Sequence, residues 1–174
     1  MEDRCPECGL ELRSLPPGDA IVALRSFARR YRAPLTRLLP DEDEQLLRRR
    51  PEPGTWSALE YACHVRDGLA WWSWALHRTL TEESPLIPRV DPDEVAADAH
   101  YDDQDPAAVA DHLGANAERF AAEAQGVAPD DWSRPVELEG TGTLDALWVL
   151  RHAVHEGSHH LLDIGRVLRA VRGR

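Results

Sequence analysis

The sequence predicts an all-α domain built as a four-helix bundle, and three observations carry that expectation. Four segments of the 174-residue chain repeat apolar side chains at helical spacing, strand-type alternation is almost absent, and no internal repeat points to a solenoid. A chain of this length buries a real core without disulfides or a structural metal. One bundle domain is therefore expected over residues 18–174, after a cysteine-bearing amino-terminal segment, residues 1–17.

The first helix is read in "PPGDAIVALRSFARRYRAPLTRLL", where Ile21, Leu24, Phe27, Ala28, Tyr31 and Leu35 share a face and Pro34 is expected to bend the axis. "PDEDEQLLRRRPEPGT" follows with three prolines and reads as a connector, short enough to favour antiparallel neighbours on either side. The second helix starts at "SALE", where Ser57 and Glu60 form a capping-box pattern, and runs to about Leu80 with Ala58, Ala62, Val65, Leu69, Trp72 and Leu76 as its stripe. From "TEESPLIPRV" to "YDDQDP" only "DPDEVAADA" has helical character. So long a connector is expected to be a functional loop or a crossover between non-neighbouring ends.

The third helix opens at Asp105 with Pro106 in its first turn and closes near Gln125, before Gly126. Val109, Leu113, Ala117, Phe120 and Ala124 form its apolar face. "VAPDDWSRPVELEGTG" is loop or a brief extended piece, and the fourth helix is expected from near Thr143 to about Val171.

Composition narrows the function. The 20 basic residues, all Arg, face 31 acidic ones for a net charge of -11, which opposes binding to phosphate backbones. No apolar run reaches membrane-spanning length, and "MEDRCPECGLEL" lacks a signal-peptide layout, so neither nucleic acid nor membrane is an expected partner. Three cysteines, Cys5, Cys8 and Cys63, are too few for a disulfide framework and agree with a cytoplasmic, reducing location.

The densest chemistry lies in "HAVHEGSHHLLDIG". Leu147, Leu150, Val154, Gly157, Leu161, Ile164 and Leu168 define one line of the fourth helix. Measured from Gly157, His160 lies roughly 60° and Glu156 roughly 100° to one side, whereas His155 and His159 lie roughly 160° away, on the back beside Trp148. Two pairs at i and i+4 thus compete for a metal, and register favours Glu156 with His160 because they flank the core. On the second helix His64 is similarly displaced from the Val65 stripe, with Gly68 and Ala75 leaving room beside it. His64, Glu156 and His160 would supply two imidazoles and one carboxylate with positions left open, the count of a catalytic site. His152, His155 and His159 are read as surface or supporting residues.

"CPECG" has the form of a zinc knuckle, with Cys5 and Cys8 as a second, incomplete metal site. A redox pair or a plain tail with reduced thiols fits the same residues; Cys63, another chain or stray histidines are the candidate further ligands, although the register of Cys63 points towards the polar back.

"TWSALEYACHVRD" and "HEGSHHLLDIG" resemble the helix-two and helix-four motifs of the DinB-like family, metal-binding bundles that include mycothiol-dependent maleylpyruvate isomerases and bacillithiol transferases. The helix-two motif, Trp-Ser followed by the family's first metal histidine, maps that ligand to His64, and alignment on "GSHH" and Ile164 carries the two helix-four ligands onto Glu156 and His160, with glutamate at the first helix-four position as in the mycothiol-dependent branch. Where members with three histidines often read His-Arg-Gly-Gln, this chain has "HLLD". The resemblance implies an up-down-down-up bundle with its long crossover between helices two and three. It also implies a divalent metal, zinc or else nickel or iron, and a low-molecular-weight thiol as co-substrate for a small-molecule electrophile.

The function implied is a thiol S-transferase or thiol-dependent isomerase. A metal-dependent hydrolase and a non-catalytic metal- or ligand-binding stress protein are the alternatives. Arg66 and Asp67 are read as substrate-orienting residues or a plain charge pair, and the tryptophans of helix two, Trp71, Trp72 and Trp74, as apolar surface suited to a homodimer.

Overall fold

The structure, a computed structural model, describes residues 4–173. Residues 1–3 of the expected amino-terminal segment and residue 174 of the bundle lie outside the described residues. The helices are α1 (Pro17–Thr36), α2 (Gln45–Arg48), α3 (Ala58–Thr81), α4 (Pro92–Asp98), α5 (Pro106–Gln125) and α6 (Ala146–Val171), and a small sheet comprises β1 (Leu86–Ile87), β2 (Pro135–Leu138) and β3 (Gly142–Asp145).

The four long helices start where local chemistry tells them to. Pro17 and Pro106 open α1 and α5, where a missing N–H costs nothing, and Asp105 caps α5 through the Ala108 N–H at 2.6 Å. Ser57 and Glu60 form the complete capping box at the head of α3. Pro34 lies inside the last turn of α1.

Cross-helix contacts set the topology. Arg25 reaches Glu118 and Arg32 reaches Asp111, so α1 and α5 run antiparallel. Tyr61 meets His160 while Trp72 meets Trp148, which makes α3 and α6 antiparallel. Asn116 donates to the Arg66 carbonyl and Ser73 to Glu123, so α3 and α5 are parallel. Arg151 donates to Leu15 O near one end of α6, and Arg172 pairs with Glu42 at the other, making α1 and α6 parallel. This is the up-down-down-up order.

The helices joined by the first connector are antiparallel but not neighbours, contrary to expectation. α1 packs on α5 and α6, and α3 packs on the same two from the opposite corner. The core between them prevents more than marginal contact across the diagonal. The connector also folds more than its prolines indicate: α2 buries Leu46 and Leu47. A single helical turn is too short to show a period.

The crossover carries α4, a 3₁₀ turn at Tyr101–Asp103 and β1. β1 pairs in parallel with β2, which pairs antiparallel with β3 through a turn containing Gly140 at φ +76°. Helix α6 therefore begins at Ala146, capped by Asp145 through the Trp148 N–H at 2.7 Å, and Thr143, expected at its start, lies in β3. Among the described residues no helix is long and apolar enough to cross a membrane.

Candidate metal centre

The buried face of α6 comprises Val149, Leu150, Ala153, Val154, Gly157, Ile164, Val167 and Leu168, while Leu147 and Leu161 are half-buried. The true face is thus rotated towards the side on which Glu156 and His160 lie. At Gly157 two side chains of α1 pack directly on the α6 backbone: its carbonyl accepts a hydrogen bond from the Tyr31 hydroxyl at 2.6 Å, and Phe27 occupies the space a side chain would need.

His64 on α3 and Glu156 and His160 on α6 converge as their helical registers predict. One ligand atom from each lies within 4.8 Å of the others, close enough for a single ion. His64 Nε2 stands 3.7 Å from Glu156 Oε2, too far for a strong direct hydrogen bond, and the His64 and His160 rings meet edge to face at 5.0 Å. Gly68, four residues after His64 on α3, leaves room beside the carboxylate, where a Cβ would lie 3.9 Å from Glu156 Oε2.

The surroundings orient all three. His160 Nδ1 lies 3.0 Å from Asp163 Oδ2. An ionised carboxylate only accepts, so Nδ1 carries the proton and Nε2 keeps the free lone pair. Tyr61 stacks on the His160 ring at 5.3 Å, and Trp56 packs against His64 at 5.2 Å. Glu156 Oε1 faces His152 Nε2 at 3.5 Å, and His152 is itself stacked on Trp148 at 4.5 Å. Trp56 also walls a groove lined by Arg48, Arg50, Glu60, Asp93 and His100.

Electrostatics favour ligand-ready forms. Burial pulls the Glu156 carboxyl upward, but His152 and His64 outweigh it and hold the group well below its ordinary value. Burial, then the charge of His64, lowers His160. A carboxylate beside a neutral imidazole is what a divalent cation requires.

Asp163 and His152 escape register analysis because their roles depend on ring orientation. The signal the sequence offers for Asp163 is "HLLD", which puts a carboxylate three residues after His160. Arg66 and Asp67 form a clamp on the crossover: Arg66 Nε donates to Asp67 at 2.7 Å, and the Tyr101 hydroxyl donates to Asp67 at 2.6 Å. Trp72 packs on Trp148 and His152, whereas Trp74 is 40% exposed with the Arg78 guanidinium over its ring.

Two readings of the sulfur and histidine residues are corrected, and the incomplete cysteine pair gains neighbours. Cys63 does not project to a polar back: it is fully buried beneath the crossover, its Sγ 3.8 Å from the Tyr101 carbonyl, and burial pushes its thiol up to about 12. His155 and His159 are half-buried beneath the amino-terminal segment and do not lie on an open back. Cys5 and Cys8 come together with those two histidines, their four ligand atoms within 4.8 Å of one another. The Cys5 thiol is drawn down to about 6, chiefly by the Cys8 backbone N–H and then by His155, while burial raises Cys8.

Comparison with known proteins follows the same lines. No curated protein matches the sequence. The fold is similar to YfiT from Bacillus subtilis, described as a probable metal-dependent hydrolase with an unusual four-helix bundle topology, at TM-score 0.79 and 18% identity over 88% of this chain and 86% of that one. It is also similar to the mycothiol-dependent maleylpyruvate isomerase, at TM-score 0.68 and 20% identity over 88% of this chain and 62% of that one. The family model of the DinB superfamily matches residues 24–164, a span running from the middle of α1 beyond both ligand-bearing segments. With its order of helices and its paired motifs on α3 and α6, the chain belongs to the DinB superfamily.

Proposed function

We propose that the chain is a divalent-metal-dependent enzyme that activates a small thiol of the mycothiol type for transfer to, or isomerisation of, an electrophilic substrate. The observation that carries this reading is the convergence of His64, Glu156 and His160 from two antiparallel helices within 4.8 Å. Two imidazoles and one carboxylate suit zinc, and also nickel or iron, while leaving coordination positions open. A metal held there supplies a Lewis acid that lowers the pKa of a thiol or water presented to it.

The chain's own residues do the positioning. Asp163 accepts a hydrogen bond from the Nδ1–H of His160 and fixes the ring with Nε2 as the ligand nitrogen. His152 and His64 bracket the two oxygens of Glu156, keeping the carboxylate ionised and aimed between the helices. Trp56 packs on the His64 ring and Tyr61 stacks on the His160 ring, restricting the orientation of both imidazoles. The thiol reading is favoured over hydrolysis by Glu156, which stands where the resemblance to the mycothiol-dependent branch places a glutamate.

The test is turnover of maleylpyruvate and other activated double bonds with a panel of small thiols, in the wild type and in His64→Ala. Thiol-dependent turnover lost together with the metal is expected. If His64→Ala loses metal but keeps turnover, the proposed mechanism is wrong. Metal-dependent cleavage of esters or amides without thiol dependence would assign a hydrolase instead.

A further inference from the structure

The "CPECG" segment is half of a metal site by sequence, and the fold brings up residues suited to the other half. Cys5 and Cys8 lie over the face of α6 that carries His155 and His159, so two thiols and two imidazoles from segments some 150 residues apart offer four ligand atoms within 4.8 Å. We propose that Cys5, Cys8, His155 and His159 form a second, closed zinc site, structural in role, that fastens the amino-terminal segment to the helix bearing Glu156 and His160. This inference does not depend on the proposed activity.

Geometry supports the assignment in four ways. Tetrahedral zinc, with Zn–S about 2.3 Å and Zn–N about 2.0–2.1 Å, places a sulfur and a nitrogen ligand about 3.5 Å apart. Cys5 Sγ and His159 Nδ1 are 3.6 Å apart. Nε2 of His155 is buried with no hydrogen-bond partner among the described residues, a costly state unless something absent from the protein atoms takes its lone pair. A thiol–imidazole hydrogen bond between Cys5 and His159 would leave that nitrogen unexplained.

The turn itself is shaped to hold thiolates. Gly9 N donates to Cys5 O at 2.9 Å and Cys5 N to Leu10 O at 3.0 Å, with Gly9 at φ +72°, where a side chain would be strained. The backbone N–H groups of Cys8 and Glu7 point at the Cys5 sulfur, and that of Leu10 at the Cys8 sulfur. Such donors stabilise sulfur anions.

The outer contacts complete the arrangement. With Nδ1 of His159 turned to Cys5, its Nε2 faces Asp163 Oδ2 at 3.6 Å, the carboxylate-behind-imidazole arrangement of metal-bound histidines. The same Oδ2 accepts from His160 Nδ1 at 3.0 Å, so one carboxylate stands behind a ligand of each centre. Arg166 pairs with Glu7 at 2.6 Å and with Asp163 at 3.1 Å, tying the knuckle to the same spot. Both i and i+4 pairs of α6 are thereby used, one facing α3 and the other facing the amino-terminal segment.

The experiment is metal analysis of the full chain, purified under reducing conditions, with the two centres separated by substitution. In His64→Ala/Glu156→Gln, one zinc per chain should remain, and adding Cys5→Ser and Cys8→Ser should remove it. Cobalt(II) bound to the first of these variants should give a near-ultraviolet thiolate charge-transfer band that is absent from the second. Circular dichroism of each variant reports whether the bundle stays folded, and His155→Ala, which keeps both thiols, should weaken zinc retention against a chelator at least tenfold. A zinc count unchanged by the cysteine substitutions, a cobalt complex without the thiolate band, or a Cys5–Cys8 disulfide whose reduction yields a dithiol that takes up no zinc would overturn the proposal.

Discussion

The Asp163 carboxylate accepts a hydrogen bond from His160 Nδ1 at 3.0 Å, three residues along the same helix, and so leaves Nε2 as the nitrogen available to a metal. Asp163→Asn preserves shape but removes the anion that favours this tautomer. Outer-shell substitutions of this kind cost about 10–100-fold in metal affinity, and that loss is expected here. Chelator competition in a Cys5→Ser/Cys8→Ser chain isolates the effect. Unchanged affinity would mean that the Tyr61 stack alone fixes the ring.

Glu156→Gln exchanges an anionic ligand for a neutral amide while keeping the volume. In the same Cys5→Ser/Cys8→Ser background, zinc at about a hundredfold over its dissociation constant should stabilise the parent by about 2.7 kcal/mol. The variant should show little or none of that gain in thermal denaturation with and without zinc. A full zinc-dependent rise in melting temperature in the variant would remove Glu156 from the ligand set.

Gly157→Ala should destabilise the bundle by about 1–3 kcal/mol through overpacking. A Cβ at this position would lie 2.6 Å from Cζ of the fully buried Phe27, and the same backbone receives the Tyr31 hydroxyl. Urea denaturation measures the loss. A Phe27→Leu/Gly157→Ala pair less destabilised than the sum of its singles would confirm that the clash is the cause.

Acid should weaken the head of α3 through Glu60. Burial raises this carboxyl, but hydrogen bonds from Arg50, at 3.0 Å from Nε, and from the Ser57 N–H, at 2.8 Å, outweigh burial and set it below its ordinary value of 4.5. A depressed folded pKa contributes stability above pH 4.5 that is lost as pH falls through the folded value. Glu60→Gln should therefore cost about 1–2 kcal/mol at pH 7. The gap from wild type should close towards pH 3, as urea midpoints across that range will show. A gap independent of pH would assign the loss to packing.

What the sequence determined by itself is what helical period and end chemistry encode. The spans of α3 and α5 follow from Ser57, Glu60, Asp105 and Pro106, and the displacement of His64, Glu156 and His160 from their apolar stripes follows from a fixed rotation per residue. Local rules of this kind need no knowledge of the partner helix. They also hold where the family motifs lie, which is why residues and resemblance indicate the same three side chains.

Only the tertiary structure decided what lies across from each face. That α1 and α3 sit on a diagonal, that β3 takes the residues before Ala146, and that Cys63 is roofed by Tyr101 all depend on where the crossover returns. The back of α6 shows this most plainly. Periodicity placed His155 and His159 away from the core, but a helix has as many buried sides as the chain chooses to cover. Residues 5–8 cover that side through contacts about 150 positions away in sequence. Local spacing specifies the direction of a side chain, whereas its solvent, its partner and its ligand are set by long-range packing.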